Sequence, residues 1–107
     1  MEAVFKMMDR EDMETNLPLA VGLLKALSNE SRLLIMCVLN KEGEKSVGEL
    51  EKIVGLSQSA LSQHLARLRK DGLVETRRSA QTIYYFTRNK SVQAILDCLC
   101  GIFNRHC

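Results

Sequence analysis

Apolar residues in the first quarter of the chain recur at helical spacing. Leu17, Val21, Leu24 and Leu27 fall three or four positions apart, on one face of a helix. Pro18, the only proline, is tolerated in a first turn, so the pattern predicts a helix capped by Asn16. Residues upstream would form a separate short helix or a kinked extension. Ser28-Asn29 breaks the pattern and can cap a second helix over about 30–39. That stretch, from Leu33 to Leu39, is apolar nearly all round, as expected of a central, buried helix. Residues 41–45, with Gly43, read as a polar turn.

Ser46-Val47-Gly48-Glu49 has the form of a capping box and opens a short helix carrying Val47, Leu50, Ile53 and Val54. Gly55 ends it. Ser57 caps the next helix, with Leu61, Leu65 and Leu68 turned inward, and Asp71-Gly72 stops it. The period then changes. Residues 73–77 and 82–86 are rich in β-branched and aromatic side chains and predict two strands, joined by 78–81 as a hairpin. From Ser91 the helical period returns, with Val92, Ile95, Leu96, Leu99, Ile102 and Phe103 on one stripe. The order is α-α-α-α-β-β-α: mainly helical with a small hairpin wing, a winged helix-turn-helix. One domain over 1–107 is expected, with 1–15 as a flexible or helical extension.

The second helix of such a motif enters the major groove of DNA. Here its outward candidates are Ser57, Gln58, Ser59, Ser62, Gln63, His64 and Arg67. Gln can pair bidentately with adenine, Arg with guanine or phosphate, and Ser with either base or backbone. The free amides at the helix start suit a phosphate. Arg77, Arg78 and Gln81, expected at the hairpin tip, can reach the adjacent minor groove or backbone.

Net charge, at +2, does not single out a nucleic-acid binder, but its distribution does more. Arg67, Arg69, Lys70, Arg77, Arg78 and Arg88 crowd one stretch against only Asp71 and Glu75, while most acids precede it. With 46% hydrophobic residues, two tyrosines, three phenylalanines and no tryptophan, the core must be aliphatic, and a domain of 107 residues often completes such a core by dimerising. No apolar run approaches the roughly 20 residues of a membrane span, and the first residues lack the order of a signal peptide, so a cytoplasmic location is expected. Four cysteines, Cys37, Cys98, Cys100 and Cys107, would there be kept largely reduced. No Gly-rich phosphate loop and no Cys-x-x-Cys motif occurs, and neither histidine has an evident nucleophile partner, which argues against an enzyme.

The run from Ser57 to Arg69 closely resembles the recognition helix of ArsR/SmtB-family repressors. So do Leu24-Lys25-Ala26-Leu27-Ser28, Arg32-Leu33, Ser46-Val47-Gly48-Glu49-Leu50 and Gly72-Leu73-Val74 running on to Arg77-Arg78; the likeness spans about 17–104. It implies a homodimer joined by its first and last helices, an inverted-repeat operator, and release of DNA by a ligand or modification. Both common metal sites of the family look absent. The third helix, Val47 to Ile53, has no Cys or His, and Asp97 is followed two residues later by Leu99 rather than His. No metal or other cofactor is therefore expected.

The sequence is more similar to the persulfide- and redox-responsive BigR/SqrR/HlyU-like branch. Alone, Cys37 reads as a small core hydrophobe; the resemblance gives it the branch's first sensing position. The second aligns with Asn104. Cys100 and Cys107 lie on the same side of the last helix as Asn104, and Cys98 on the opposite flank. Either Cys107 or Cys100 could supply the second thiol, and Cys107 is favoured because a terminus can reach Cys37 without repacking the core. The inducer implied is a reactive sulfur species, persulfide or polysulfide. Two other readings stand beside this one. One is a metal- or metalloid-responsive repressor using Cys98, Cys100, Cys107 and His106. The other is a protein-interaction module on the same scaffold.

Overall fold

The computed structural model describes residues 9–103. Helix α1 (Arg10–Leu27) is followed by α2 (Glu30–Glu42), strand β1 (Lys45–Ser46), α3 (Val47–Val54), α4 (Gln58–Lys70), β2 (Glu75–Ser79), β3 (Thr82–Phe86) and α5 (Lys90–Phe103). The mainly helical fold with a small β wing is the winged helix-turn-helix expected. Several boundaries differ.

Helix α1 starts at Arg10, not after Asn16, and runs unbroken through Pro18. The Asp9 carboxylate accepts the Glu11 amide at 3.3 Å, and Glu11 and Asp12 complement the positive end of the helix dipole. Together they start the helix two turns early, and the helix continues past Pro18 despite the lost amide donor and the crowding of its ring against the preceding turn. At its other end, Arg32 of α2 donates from Nε to the Ala26 carbonyl at 2.6 Å and from Nη2 to the Lys25 carbonyl at 3.1 Å. With the Ser28 amide on the Lys25 carbonyl and the Asn29 amide on the Leu27 carbonyl, this side chain closes the end of α1.

Helix α2, capped by Asn29 on the Arg32 amide at 3.0 Å, extends to Glu42, where Gly43 at φ +86° ends it. It is not buried all round as expected. Ile35, Met36, Val38 and Leu39 face the core, but Leu34 is 42% exposed and Cys37 is also exposed. One chain covers only one side of the helix. The expected turn over 41–45 narrows to Gly43-Glu44, between the end of α2 and a short strand. Lys45 pairs with Tyr85 and Ser46 with Tyr84, so the wing is a three-stranded antiparallel sheet in the order β1-β3-β2. Two residues are too few to show a period of two, and their pairing is dictated by β3, far along the chain.

The hairpin also starts later than expected. Leu73 and Val74 are buried core residues ahead of β2, and Arg78 and Ser79 belong to the strand. Ser79 pairs with Thr82, leaving the two-residue turn Ala80-Gln81 with Ala80 at φ +56°. Helix α5 begins at Lys90, its Val92 amide bonded to the Asn89 side chain at 3.0 Å. The core under α2, α3, α4 and α5 is aliphatic, and among the described residues no polar side chain is buried.

Candidate nucleic-acid interface and a thiol-lined groove

Helices α3 and α4 form the helix-turn-helix. The capping box at Ser46 is complete: its hydroxyl accepts the Glu49 amide at 3.2 Å and the Glu49 carboxylate accepts the Ser46 amide at 3.0 Å. Those bonds hold the Glu49 carboxyl below the usual carboxylate range. Gly55, at φ +74°, turns the chain between the helices in a left-handed conformation that suits glycine. Ser57 caps α4 by accepting the Ala60 amide at 3.2 Å. At the far end Gly72 is also left-handed, at φ +75°, with its amide on the Arg69 carbonyl.

Leu61, Leu65 and Leu68 anchor one face of α4 in the core. At about 100° per residue, Ser59, Gln63 and Arg67 form a stripe on the opposite face, with Ser62 and His64 a quarter-turn to either side. Ser57, Gln58, Ser59, Ser62, Gln63 and Arg67 are exposed and His64 is half-buried. The Gln58 and Ser59 amides, in the first turn of α4, have no carbonyl partner within the helix. Lys70 continues the stripe, a position that the same periodicity indicates. Arg67 is shared: its Nε donates to Asp71 at 3.1 Å, one turn on.

The wing residues separate. Gln81 lies at the tip and is exposed. Arg78 is exposed and makes no ion pair among the described residues. Arg77 is not at the tip. It sits mid-strand opposite Tyr84, donates from Nε and Nη2 to the two Glu44 oxygens at 2.8 and 2.6 Å, and lies 4.6 Å from the Tyr84 ring centre. A second fork joins Arg88 to Glu75 at 2.9 and 2.6 Å, over Phe86. Each arginine's hydrogen bonds hold its partner carboxyl, Glu44 or Glu75, below the usual range. Glu44 carries no local sequence signal, because its partner is 33 residues away.

The second feature is a groove of about 680 Å³ between α2 and α5. Cys37 and Cys100 both line it, with Leu33, Leu96, Leu99 and Phe103. Asn40 of α2 donates to Asp97 of α5 at 3.0 Å across the same space. Cys37 is an exposed free thiol whose partial desolvation pushes its pKa up. Cys98 is free and does not line the groove. Cys100 is disulfide-bonded, to neither Cys37 nor Cys98, in contrast to the reduced state expected. Cys107 and His106 lie outside the described residues. Among the described residues, no group of three His, Cys, Asp or Glu side chains is placed to hold a metal ion. No helix among them is long and apolar enough to cross a membrane.

An exposed polar helix face, set in a helix-turn-helix and backed by a β wing, defines a sequence-reading DNA-binding protein. The profile described as bacterial regulatory protein, arsR family, matches residues 29–76. The transcriptional activator HlyU of Vibrio cholerae is 53% identical over 92 residues, covering 86% of this chain and 84% of that protein. The biofilm growth-associated repressor of Xylella fastidiosa is 45% identical over 96 residues, covering 90% and 83%. The structure of reduced HlyU from Vibrio cholerae superposes with a TM-score of 0.82 at 51% identity, covering 88% of this chain and 98% of that one. The chain belongs to the ArsR family of transcriptional regulators, in the branch similar to HlyU and the biofilm repressor, and is not an enzyme.

Proposed function

We propose that this regulator is a cytoplasmic, homodimeric repressor that holds an inverted-repeat operator and releases it when reactive sulfur species modify or cross-link its thiols. The DNA contacts are assigned to Ser57, Gln58, Ser59, Ser62, Gln63, His64 and Arg67 of the reader segment and to Arg78 and Gln81 of the wing. Residues 1–107 act as one DNA-binding unit. Dimerisation is supported by Met13, Leu17, Val21 and Leu24, which present one exposed apolar stripe along α1, and by exposed Ile102 and Phe103 at the end of α5.

The observation that carries the sulfur chemistry is that Cys37 and Cys100 open into one groove between two different helices. A Cys37 thiolate attacks the sulfane sulfur of a persulfide RSSH, forming Cys37-SSH and releasing RSH. Once a thiol reductant has opened the Cys100 disulfide, a second cysteine thiolate, from Cys100 or Cys107, attacks the Cys37 sulfur and expels hydrogen sulfide, leaving a disulfide between α2 and the C-terminal region. Such a tether stiffens or shifts α5 against α2, and a coupling of about 1.4 kcal/mol already changes operator affinity tenfold.

The test is operator binding by reduced protein against protein treated separately with polysulfide, peroxide and zinc, with intact-mass analysis of each sample. Release by polysulfide alone is expected, with Cys37 joined to the C-terminal peptide. A Cys37→Ser variant should keep its full DNA binding after polysulfide. Release of that variant defeats the thiol assignment.

A further inference from the structure

The Arg77–Glu44 fork joins two parts of the molecule that have to keep a fixed angle. Arg77 projects from β2, its guanidinium passes over Tyr84 of β3, and Glu44 stands immediately before β1. In register, Arg77 opposes Tyr84 and Tyr84 opposes Ser46, so one side chain spans all three strands. Ser46 is also the residue that caps α3, so the anchor lies on the chain that leads directly into the helix-turn-helix. The Arg88–Glu75 fork differs: both its residues belong to the hairpin and its end, and it reaches no segment of the reader motif.

We propose that Glu44 is a positioning residue for DNA recognition, holding Arg77 across the sheet so that the wing keeps a fixed pitch relative to α4, and that Arg77 is a strap rather than a phosphate contact. This rests on the DNA-binding reading above and departs from the sequence expectation that Arg77 touches DNA. Two donors of the guanidinium are committed to one carboxylate in the bidentate geometry that arginine favours. A phosphate would have to displace that fork. Arg78 is the next residue on the strand, so it projects to the other face, and it makes no ion pair among the described residues. The cationic contact from the wing to the backbone falls to Arg78.

The two roles predict opposite signs. A phosphate contact adds about one to the slope of log affinity against log salt for each protomer, and a strap adds nothing. Operator binding is measured across salt for wild type and for Glu44→Gln, Arg77→Lys and Arg78→Ala, with thermal melts to confirm folding. We expect Glu44→Gln to weaken binding about three- to tenfold although it removes a negative charge, with the slope unchanged. Arg77→Lys, which keeps the charge but loses the fork, should behave alike, and Arg78→Ala should lower the slope. Exchanging the pair, Glu44→Arg with Arg77→Glu, should restore part of the lost affinity. Tighter binding or a steeper slope for Glu44→Gln, or wild-type behaviour of either Glu44→Gln or Arg77→Lys, overturns the strap.

A readout without DNA separates this inference from the reading beneath it. In the free protein the Arg77 Nε proton should exchange with water more slowly than that of Arg78, and Glu44→Gln should abolish the difference. Equal exchange in wild type overturns the strap. Slow exchange in a wild type that binds no operator rejects the DNA reading and the positioning role, while leaving the fork itself intact.

Discussion

Helix α4 is positioned by residues beside it in the chain, whereas the groove between α2 and α5 is bridged by side chains 57 residues apart. The cap at Ser57, the stop at Gly72 and three leucines at helical spacing fix which face of α4 points outward. None of these needs information from elsewhere. The groove exists only because the wing returns the chain so that α5 lies along α2. A reader can therefore be specified by a short segment and stay the same among proteins that answer different signals. What the groove can do depends on what the fold places opposite Cys37.

This contrast can be pressed at several points. The largest effect is expected from Leu65→Ala. Leu65 is fully buried at the centre of α4, and its truncation should cost about 2–5 kcal/mol in urea unfolding at fixed protein concentration, with loss of operator binding in parallel. Gln63→Ala should leave the melting temperature unchanged and cost about 1–3 kcal/mol of discrimination between operator and mismatched sites, read by competition binding. An equal loss on every sequence would make Gln63 a backbone contact instead.

Ser57→Ala removes one cap and should cost about 1 kcal/mol of stability. It should not change the rate at which Cys37 is alkylated, since the groove shares no bond with that cap; a change in that rate would mean the two regions are coupled more tightly than their contacts suggest. The smallest effect concerns pH. Partial desolvation raises the Cys37 pKa above its ordinary value of 9.0, so less of it is thiolate at neutral pH than of an ordinary cysteine. Its alkylation rate should still be climbing at a pH where that of an unburied cysteine in a peptide has levelled off. A plateau near neutrality would mean that a cation, such as Lys41 in the lining of the groove, outweighs the desolvation.

The same contrast explains what the sequence reveals. The capping box at Ser46, the cap at Ser57 and the leucine period of α4 are local, and all three are found where the spacing predicts them. The spacing puts the start of α1 at Asn16, yet Asp9 and the acids after it supply the cap and the first turn, and the helix runs on past Pro18. The strand Lys45–Ser46, the Arg77–Glu44 fork and the Asn40–Asp97 bond join distant residues and have no local periodicity to betray them. Arg77 illustrates the limit. Beside Arg78 in the sequence the two look equivalent, and only the alternation of the strand, together with a carboxylate from another segment, gives them different surroundings.

Arg32 adds a mechanical consequence at the corner between α1 and α2. Its guanidinium grips two successive carbonyls at the end of one rod while its own backbone amide is pinned at the start of the next. The elbow thus works as a welded joint instead of a hinge, and a tilt imposed on either arm is handed to the other with little slack.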